Sequence, residues 1–128
     1  MSKTILIADD QADSRQLLND ILDRFRPYGV TVHVASDGRQ AYEMAQAVWP
    51  DLILLDIMMP EMSGYEVCEK LKSEAEAKAP YIIMVSAKFQ RADRTKAALV
   101  GADEFINKPY DIKLVLERVQ AVLDITLA

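Results

Sequence analysis

The stretch that most constrains the fold is Leu52–Leu55, an uninterrupted run of apolar residues that a carboxylate, Asp56, follows directly. Such a run, without polar alternation, is typical of a parallel β-strand that is covered on both faces. Pro60 then prevents regular structure from continuing, because it has no backbone N–H and its φ angle is fixed. Ser63, with Glu66 three residues later, has the pattern of a capping box that begins a helix. The stretch therefore predicts a central strand, an acid at its carboxyl end, a loop and a helix.

Four further segments have strand character, and amphipathic helical patterns separate them. The predicted strands are Thr4–Ala8, Val30–Val34, Leu52–Leu55, Tyr81–Val85 and Glu104–Ile106. The first, third and fourth are continuously apolar and belong in the middle, whereas the alternating second and the short fifth belong at the edges. Alternation of strand and helix predicts an α/β fold, a flavodoxin-like (βα)5 doubly wound parallel sheet with strand order 2-1-3-4-5. We expect one domain over residues 1–128.

Polar residues mark the predicted helix starts. The expected N-caps are Asp13, Asp37, Ser63 and Asp111. Gln16 follows Asp13 by three residues and predicts a capping box there. Helical spacing places Leu17 on the buried face of the first helix and Leu114 on that of the last. Gly101 is expected to end the fourth helix in a left-handed conformation.

Composition excludes several classes of protein. The net charge of −5 argues against a nucleic-acid-binding surface, which normally shows a basic patch. The single cysteine, Cys68, cannot form an internal disulfide, and we expect it to be a small buried hydrophobe. The N-terminus does not have the shape of a signal peptide, and no apolar stretch is long enough to span a bilayer. We therefore expect a cytoplasmic protein with no membrane or direct nucleic-acid partner, although DNA binding by a separate domain stays open.

Polar side chains follow the predicted core strands at their carboxyl ends, where ligands bind in open α/β sheets. These residues are Asp9, Asp10, Asp56, Ser86 and Lys108. Each alone would be an ordinary turn, cap or loop residue. Together, their carboxylates repel unless a cation neutralises them, and an oxygen set without His or Cys suits Mg²⁺. A lysine and a hydroxyl opposite the metal could hold a phosphoryl group, and one carboxylate could be its covalent acceptor.

The motifs that carry these residues resemble those of the receiver domains of two-component response regulators. They are Ile5–Asp10, Asp56–Gly64, Ser86-Ala87 and Gly101–Pro109. The resemblance covers nearly the whole chain. It implies that Asp56 accepts a phosphoryl group from the phosphohistidine of a histidine kinase or phosphotransfer protein. Such a domain catalyses only its own phosphorylation and slow self-dephosphorylation.

The resemblance also implies roles for the neighbours of Asp56. Asp10, Asp56 and the backbone carbonyl of Met58 would ligate Mg²⁺, and Asp9 would orient a metal-bound water. Lys108, the Ser86 hydroxyl and the Ala87 N–H would contact the phosphoryl oxygens. The peptide bond between Lys108 and Pro109 is usually cis in this family.

The same resemblance implies a switch made of Ser86 and Phe105. Phosphorylation would reshape the face formed by the fourth helix, the fifth strand and the fifth helix, where a partner reads the state. Phe105 stands where the family often has Tyr, so any switch that relies on that hydroxyl is excluded. Met58 and Lys88 flank the path of the hydrolytic water, and neither is suited to activating it, which predicts slow dephosphorylation.

Other functions and partners stay open at this point. An Mg²⁺-dependent phosphohydrolase would use the same residues, but the chain has no insertion long enough to form a substrate cap. Nucleotide or flavin binding would need a phosphate-binding loop after the first strand, where two acids stand instead. The output could be an unknown downstream protein or a fused domain. A phosphorylation-dependent dimer could use Asp103, Glu104 and Arg118, although Val100 and Leu114 fall where charge is expected.

Overall fold

The computed structural model describes residues 2–87 and 90–128, in which five parallel strands form one sheet in the order β2-β1-β3-β4-β5. The strands are β1 (Lys3–Ala8), β2 (Val30–Ala35), β3 (Leu52–Leu55), β4 (Tyr81–Ser86) and β5 (Glu104–Asn107). The helices are α1 (Ala12–Leu22), α2 (Gly38–Val48), α3 (Gly64–Glu74), α4 (Arg91–Leu99) and α5 (Ile112–Leu123). A 3₁₀ helix, Asp23–Tyr28, extends α1. The predicted fold and strand order are confirmed.

The sheet is covered on both faces, which explains the continuous apolar runs of its middle strands. On one face, β1, β3 and β4 pack against α1 and α5 in a cluster that includes Leu18, Phe25 and Val119. On the other face, the alternate residues of the same strands pack against α2, α3 and α4, with Ala41 and Leu71 in that cluster. All four residues of β3 are buried, as a strand with helices on both sides requires.

Most helix termini follow the sequence signals. Asp37 and Ser63 accept hydrogen bonds from the backbone N–H groups of Gln40 and Glu66, and Asp111 accepts one from the N–H of Lys113. These bonds satisfy donors that the first turn of a helix leaves without partners. Gly101 lies in the left-handed region, with φ +101°, as expected after α4.

The predicted start of α1 at Asp13 is wrong. The N-cap is Gln11, and Asp13 lies inside the first turn of the helix. The reason is local: the buried Asp9 carboxylate accepts a hydrogen bond from the N–H of Gln11 at 2.9 Å, which turns the chain before Asp13 is reached. Leu17 and Leu114 are exposed, so their predicted place on buried helix faces is also wrong.

Two glycines allow the loop after β3 to lie against its neighbours. A Cβ on Gly64 would lie 2.1 Å from the backbone oxygen of Asp56, and a Cβ on Gly38 would lie 1.7 Å from that of Met62. The N–H of Gly64 donates to Ile57 O and that of Gly38 to Pro60 O. The loop is therefore held from both sides, which fixes the chain directly after Asp56.

Candidate functional site

The carboxyl ends of β1, β3, β4 and β5 bring together the polar residues that the sequence singled out. A cavity of about 220 Å³ opens at this edge of the sheet. Its lining consists of Asp10, Gln11, Asp56, Met58, Ser86, Ala87 and Lys108. Asp9 and Ser86 are buried, Asp56 is 7% exposed, and Asp10 is exposed. The site thus combines two buried carboxylates and a partly buried lysine with an opening to solvent.

Among the described residues that line the cavity, Lys108 carries the positive charge. Its Nζ lies 2.7 Å from Asp9 Oδ2 and 3.0 Å from Asp56 Oδ2, so that one ammonium group bridges two carboxylates. Burial lowers the pKa of Lys108, but its hydrogen bonds and attraction to the two carboxylates outweigh burial and leave the pKa raised. The ammonium group is therefore charged at neutral pH.

Asp56 lies directly after β3, at the base of the cavity. Burial raises the pKa of its carboxyl group, and the proximity of Asp9 adds to this, while Lys108 and the N–H of Met58 lower it. The N–H of Met58 lies 3.4 Å from Asp56 Oδ1. The Met58 side chain is 62% exposed at the rim of the same cavity. One oxygen of Asp56 therefore points to Lys108 and the other to the backbone of the following loop.

The acidic cluster has the chemistry of a site for a hard cation. Oxygens of Asp9, Asp10 and Asp56 lie within 4.8 Å of one another. Carboxylate oxygens without nitrogen or sulfur donors are the ligands that Mg²⁺ prefers. Lys108 neutralises part of this charge, and the exposure of Asp10 leaves a path for a hydrated ion. The residues therefore fit the magnesium ion that the sequence predicted.

Two residues that sequence reasoning missed position Asp9. Besides the bond from the N–H of Gln11, Arg15 donates from Nη1 to the backbone oxygen of Asp9 at 2.8 Å. Arg15 lies in the first turn and a half of α1, close in sequence to the acid pair. An arginine just after two acids at a strand end is the signal that could have found it. These bonds fix the carboxyl end of β1.

Ser86 ends β4 beside the site, and Ala87 directly follows the strand. Ser86 is paired in register with Asn107, and its backbone oxygen accepts from the N–H of Lys108 at 2.9 Å. The peptide bond between Lys108 and Pro109 is cis, as the resemblance implied. Lys88, which was predicted to flank the path of the hydrolytic water, lies outside the described residues.

Phe105 lies on β5, half-buried and next to α4. Its backbone is paired in register with Met84, and its ring packs against the cluster beneath α2, α3 and α4. The guanidinium carbon of Arg94 lies 5.2 Å from the centre of the ring. The Phe105 ring is therefore only partly exposed to solvent, and the Arg94 guanidinium group covers part of it.

The charged residues considered for a dimer have partners within the chain. Lys72 Nζ lies 2.7 Å from Asp103 Oδ2, which also accepts from the N–H of Ile82. Arg118 donates through two nitrogens to Glu104. The Arg118 guanidinium lowers the pKa of Glu104, with burial opposing it. These acids stabilise the contacts of β5 with α3 and α5 in the single chain.

The family model of the response regulator receiver domain matches residues 5–120. The chain therefore belongs to the response regulator receiver domain family. None of the helices among the described residues is long and apolar enough to cross a membrane.

The curated relatives are named as transcriptional regulators or transcriptional regulatory proteins. The transcriptional regulatory protein SrrA of Staphylococcus aureus is 42% identical over 96% of this chain and 48% of its own length. The alkaline phosphatase synthesis transcriptional regulatory protein PhoP of Bacillus subtilis is 38% identical over 96% of this chain and 49% of its own length. The chain thus spans about half the length of the curated relatives it matches.

Solved structures with the same fold cover nearly the whole chain. The chemotaxis protein CheY4 of Vibrio cholerae is 27% identical, with a TM-score of 0.81, over 95% of this chain and 99% of that one. The N-terminal domain of a Wolinella succinogenes protein is 30% identical, with a TM-score of 0.86, over 96% and 95% of the two chains. These similarities support the fold independently of the relatives above.

Proposed function

We propose that Asp56 accepts a phosphoryl group from the phosphohistidine of a histidine kinase or phosphotransfer protein. The observation that carries this proposal is the position of Asp56, which is buried at the end of the central strand, opens into the cavity and lies 3.0 Å from the Lys108 ammonium group. A carboxylate in that position can act as a nucleophile while an adjacent cation stabilises the charge that develops. The domain, residues 1–128, would catalyse this reaction on itself alone.

In the proposed reaction, an Asp56 oxygen forms a bond to phosphorus while the bond from phosphorus to the donor nitrogen breaks. Lys108 would move its hydrogen bonds from the carboxylates to a phosphoryl oxygen, since its flexible stem carries three donors. The Ser86 hydroxyl and the Ala87 N–H, from residues that line the same cavity, would hold further phosphoryl oxygens. Positioning and charge stabilisation are the main contributions in such a transfer.

Magnesium is part of the proposal. Asp10, Asp56 and the backbone carbonyl of Met58 would hold Mg²⁺, and Asp9 would orient one of its waters. When bound, the ion supplies positive charge that offsets the negative charge of the phosphoryl group and the carboxylates. Lys108 alone leaves the cluster of Asp9, Asp10 and Asp56 with net negative charge, which is why a cation is expected.

A partner would recognise the phosphorylated state at the face made by α4, β5 and α5. Ser86 would move toward the phosphoryl group and Phe105 would follow it inward, which would favour a second arrangement of that face. The relatives that are transcriptional regulators are about twice as long as this chain, so a fused output domain or a separate partner could read it. A phosphorylation-dependent dimer and a cytoplasmic location, both expected from the sequence, stay part of this proposal.

The test is incubation with acetyl phosphate and Mg²⁺, followed by intact mass spectrometry. We expect one phosphoryl adduct on the wild-type chain, and none after Asp56→Asn or in the presence of EDTA. Asp20→Asn, which changes an exposed aspartate on α1, is the matched control and should be modified like the wild type. An adduct of equal yield on Asp56→Asn would contradict the assignment. Repeated turnover of an aryl phosphate would instead support the phosphohydrolase.

A further inference from the structure

Helix α4 is attached to the rest of the molecule mainly by polar and aromatic contacts. Among its described residues, Ala97 is buried, whereas Leu99 is 80% exposed. Tyr65 of α3 donates to the backbone oxygen of Asp93 at 3.3 Å, and Lys96 Nζ lies 4.6 Å from the centre of the Tyr65 ring. A helix with so little buried apolar surface can move at a small free-energy cost. Its polar contacts therefore set its position.

Arg94 makes the contacts that join α4 to β5. Its guanidinium carbon lies 5.2 Å from the centre of the Phe105 ring, and its Nη2 donates to Asn107 Oδ1. Phe105 and Asn107 are two residues apart on one strand, so their side chains lie on the same face of the sheet. One planar cation thus covers an aromatic ring and binds the amide beside it, a pair of contacts that a point charge such as Lys would make less well.

The strand that Arg94 contacts is the one that leads into the site. Asn107 directly precedes Lys108, which binds Asp9 and Asp56, and Asn107 is paired in register with Ser86. The Asn107 amide nitrogen is buried and has no hydrogen-bond partner among the described residues, so its contact with Arg94 is made through the other end of the amide. The contact between Arg94 and Asn107 therefore lies one residue along the chain from Lys108.

We propose that Arg94 is a positioning residue of the switch, which holds Phe105 in the half-buried position and ties α4 to β5 until Asp56 is occupied. This inference rests on the proposed function, because it assigns Arg94 to the equilibrium that phosphorylation biases. Inward movement of Phe105 would separate the ring from the guanidinium and release α4. Arg94 would then couple the state of the site to the exposed surface of α4.

The direction of the expected effect follows from linkage. A contact that exists only in the resting state disfavours the activated state, and ligand binding at Asp56 has to overcome it. Removing the contact should therefore increase the affinity for a phosphoryl mimic. A cation–π interaction at a partly exposed site corresponds to about a two- to fivefold change in an equilibrium constant.

The experiment titrates the chain with beryllofluoride in Mg²⁺, with the bound fluoride followed by ¹⁹F NMR. Arg94→Gln should bind about two- to fivefold more tightly than the wild type. Arg94→Lys keeps the charge and should bind with intermediate affinity. Arg91→Gln removes the same charge from an exposed position one turn earlier on α4, and should bind like the wild type.

A double-mutant cycle isolates the contact with the ring. In a Phe105→Leu background, which keeps an apolar side chain without a π face, Arg94→Gln should have a smaller effect than in the wild type. In the free protein, Arg94→Gln should move the α4 amide resonances toward their positions in the beryllofluoride complex. These resonance positions do not depend on ligand affinity. If Arg94→Gln does not fold, Arg94→Lys can be measured in the same way.

The outcomes separate the two proposals. Failure of the wild type to bind beryllofluoride would overturn the proposed function, and this inference with it. If the wild type binds, equal or weaker binding by Arg94→Gln overturns the inference alone. An equal effect of Arg91→Gln would also overturn it, because the charge of the helix would then explain the result. A full effect of Arg94→Gln in the Phe105→Leu background would exclude the ring as the contact that matters.

Discussion

Helices α3 and α4 lie on the same face of the sheet, but they are held there in different ways. α3 buries Val67, Cys68 and Leu71, and its first residue, Gly64, lies against the backbone of Asp56. Burial raises the pKa of the Cys68 thiol to about 12, as expected in an apolar setting. Among the described residues of α4, by contrast, Ala97 alone is buried. The anchored helix therefore holds the backbone around Asp56, and the loosely held one is the better able to move.

The largest expected effect is on the free energy of unfolding, and it compares one leucine on α3 with one on α4. Leu71→Ala on α3 removes a buried side chain and should lower the free energy of unfolding by about 3 kcal/mol, within the usual range for buried leucines. Leu99→Ala on α4 removes an exposed side chain and should change it by less than about 0.5 kcal/mol. Urea denaturation measures both. Equal losses would mean that α4 is anchored as firmly as α3.

Magnesium should stabilise the folded chain by binding at the cluster of Asp9, Asp10 and Asp56. A ligand that binds only the native state raises its stability by about 1.4 kcal/mol at a tenfold excess over Kd. Mg²⁺ should therefore raise the melting temperature of the wild type, and Asp10→Ala should lose most of this gain. Without metal, Asp10→Ala should melt slightly higher, because one of three neighbouring negative charges is gone. No response to millimolar Mg²⁺ in the wild type would show that the acidic cluster is not a metal site.

Met58 lies at the rim of the site cavity, on the loop that follows Asp56. Its exposed thioether cannot orient a water for attack, so the phosphorylated wild type should persist for many minutes. Met58→Asn with a small residue at Lys88 should accelerate decay about tenfold, which corresponds to about 1.4 kcal/mol of barrier. Intact mass at intervals after removal of the donor measures the rate. Decay of the wild type within seconds, or no acceleration in the variant, would refute this explanation.

The smallest expected effect concerns the charge of Asp56. Because burial raises its pKa in the folded chain above the ordinary 3.8, the folded state keeps this proton to a higher pH than the unfolded state does. The stability that protonated Asp56 contributes to the folded state is therefore lost as the pH rises from 3.8 through the raised pKa of the folded state. Asp56→Asn lacks this loss, so its advantage in melting temperature without metal should grow across that interval and stay constant above it. A constant difference throughout would show that burial does not control this carboxyl group.

The sequence predicted the elements whose environment is repetitive. All of β3 and residues 82–85 of β4 are buried, so each residue of these runs is apolar and the pattern is visible without a structure. The convergence of the polar residues at one edge was also predictable, because parallel strands present their carboxyl ends there. The start of α1 was not, since Asp9 is directed inward and turns the chain at Gln11 before Asp13 can act as a cap.

Contacts between segments distant in sequence could not be predicted from sequence patterns. Gly38 and Gly64 matter because backbone oxygens of Met62 and Asp56 lie where a Cβ would be. Arg94 matters because of two residues on a neighbouring strand. Periodicity reports how much of a helix face is apolar, but it does not report which polar residue on a weakly apolar helix finds a partner across the sheet.

Hydrogen exchange in the presence and absence of beryllofluoride and Mg²⁺ tests the central claim most directly, because one experiment on the wild-type chain compares both helices. We expect altered exchange in α4 and β5 when Asp56 is occupied, and unchanged exchange in α3 beyond its first turn, around Val67–Leu71. Altered exchange in α3 with none in α4 would contradict the central claim, because the anchored helix would then be the one that reports the state of the site.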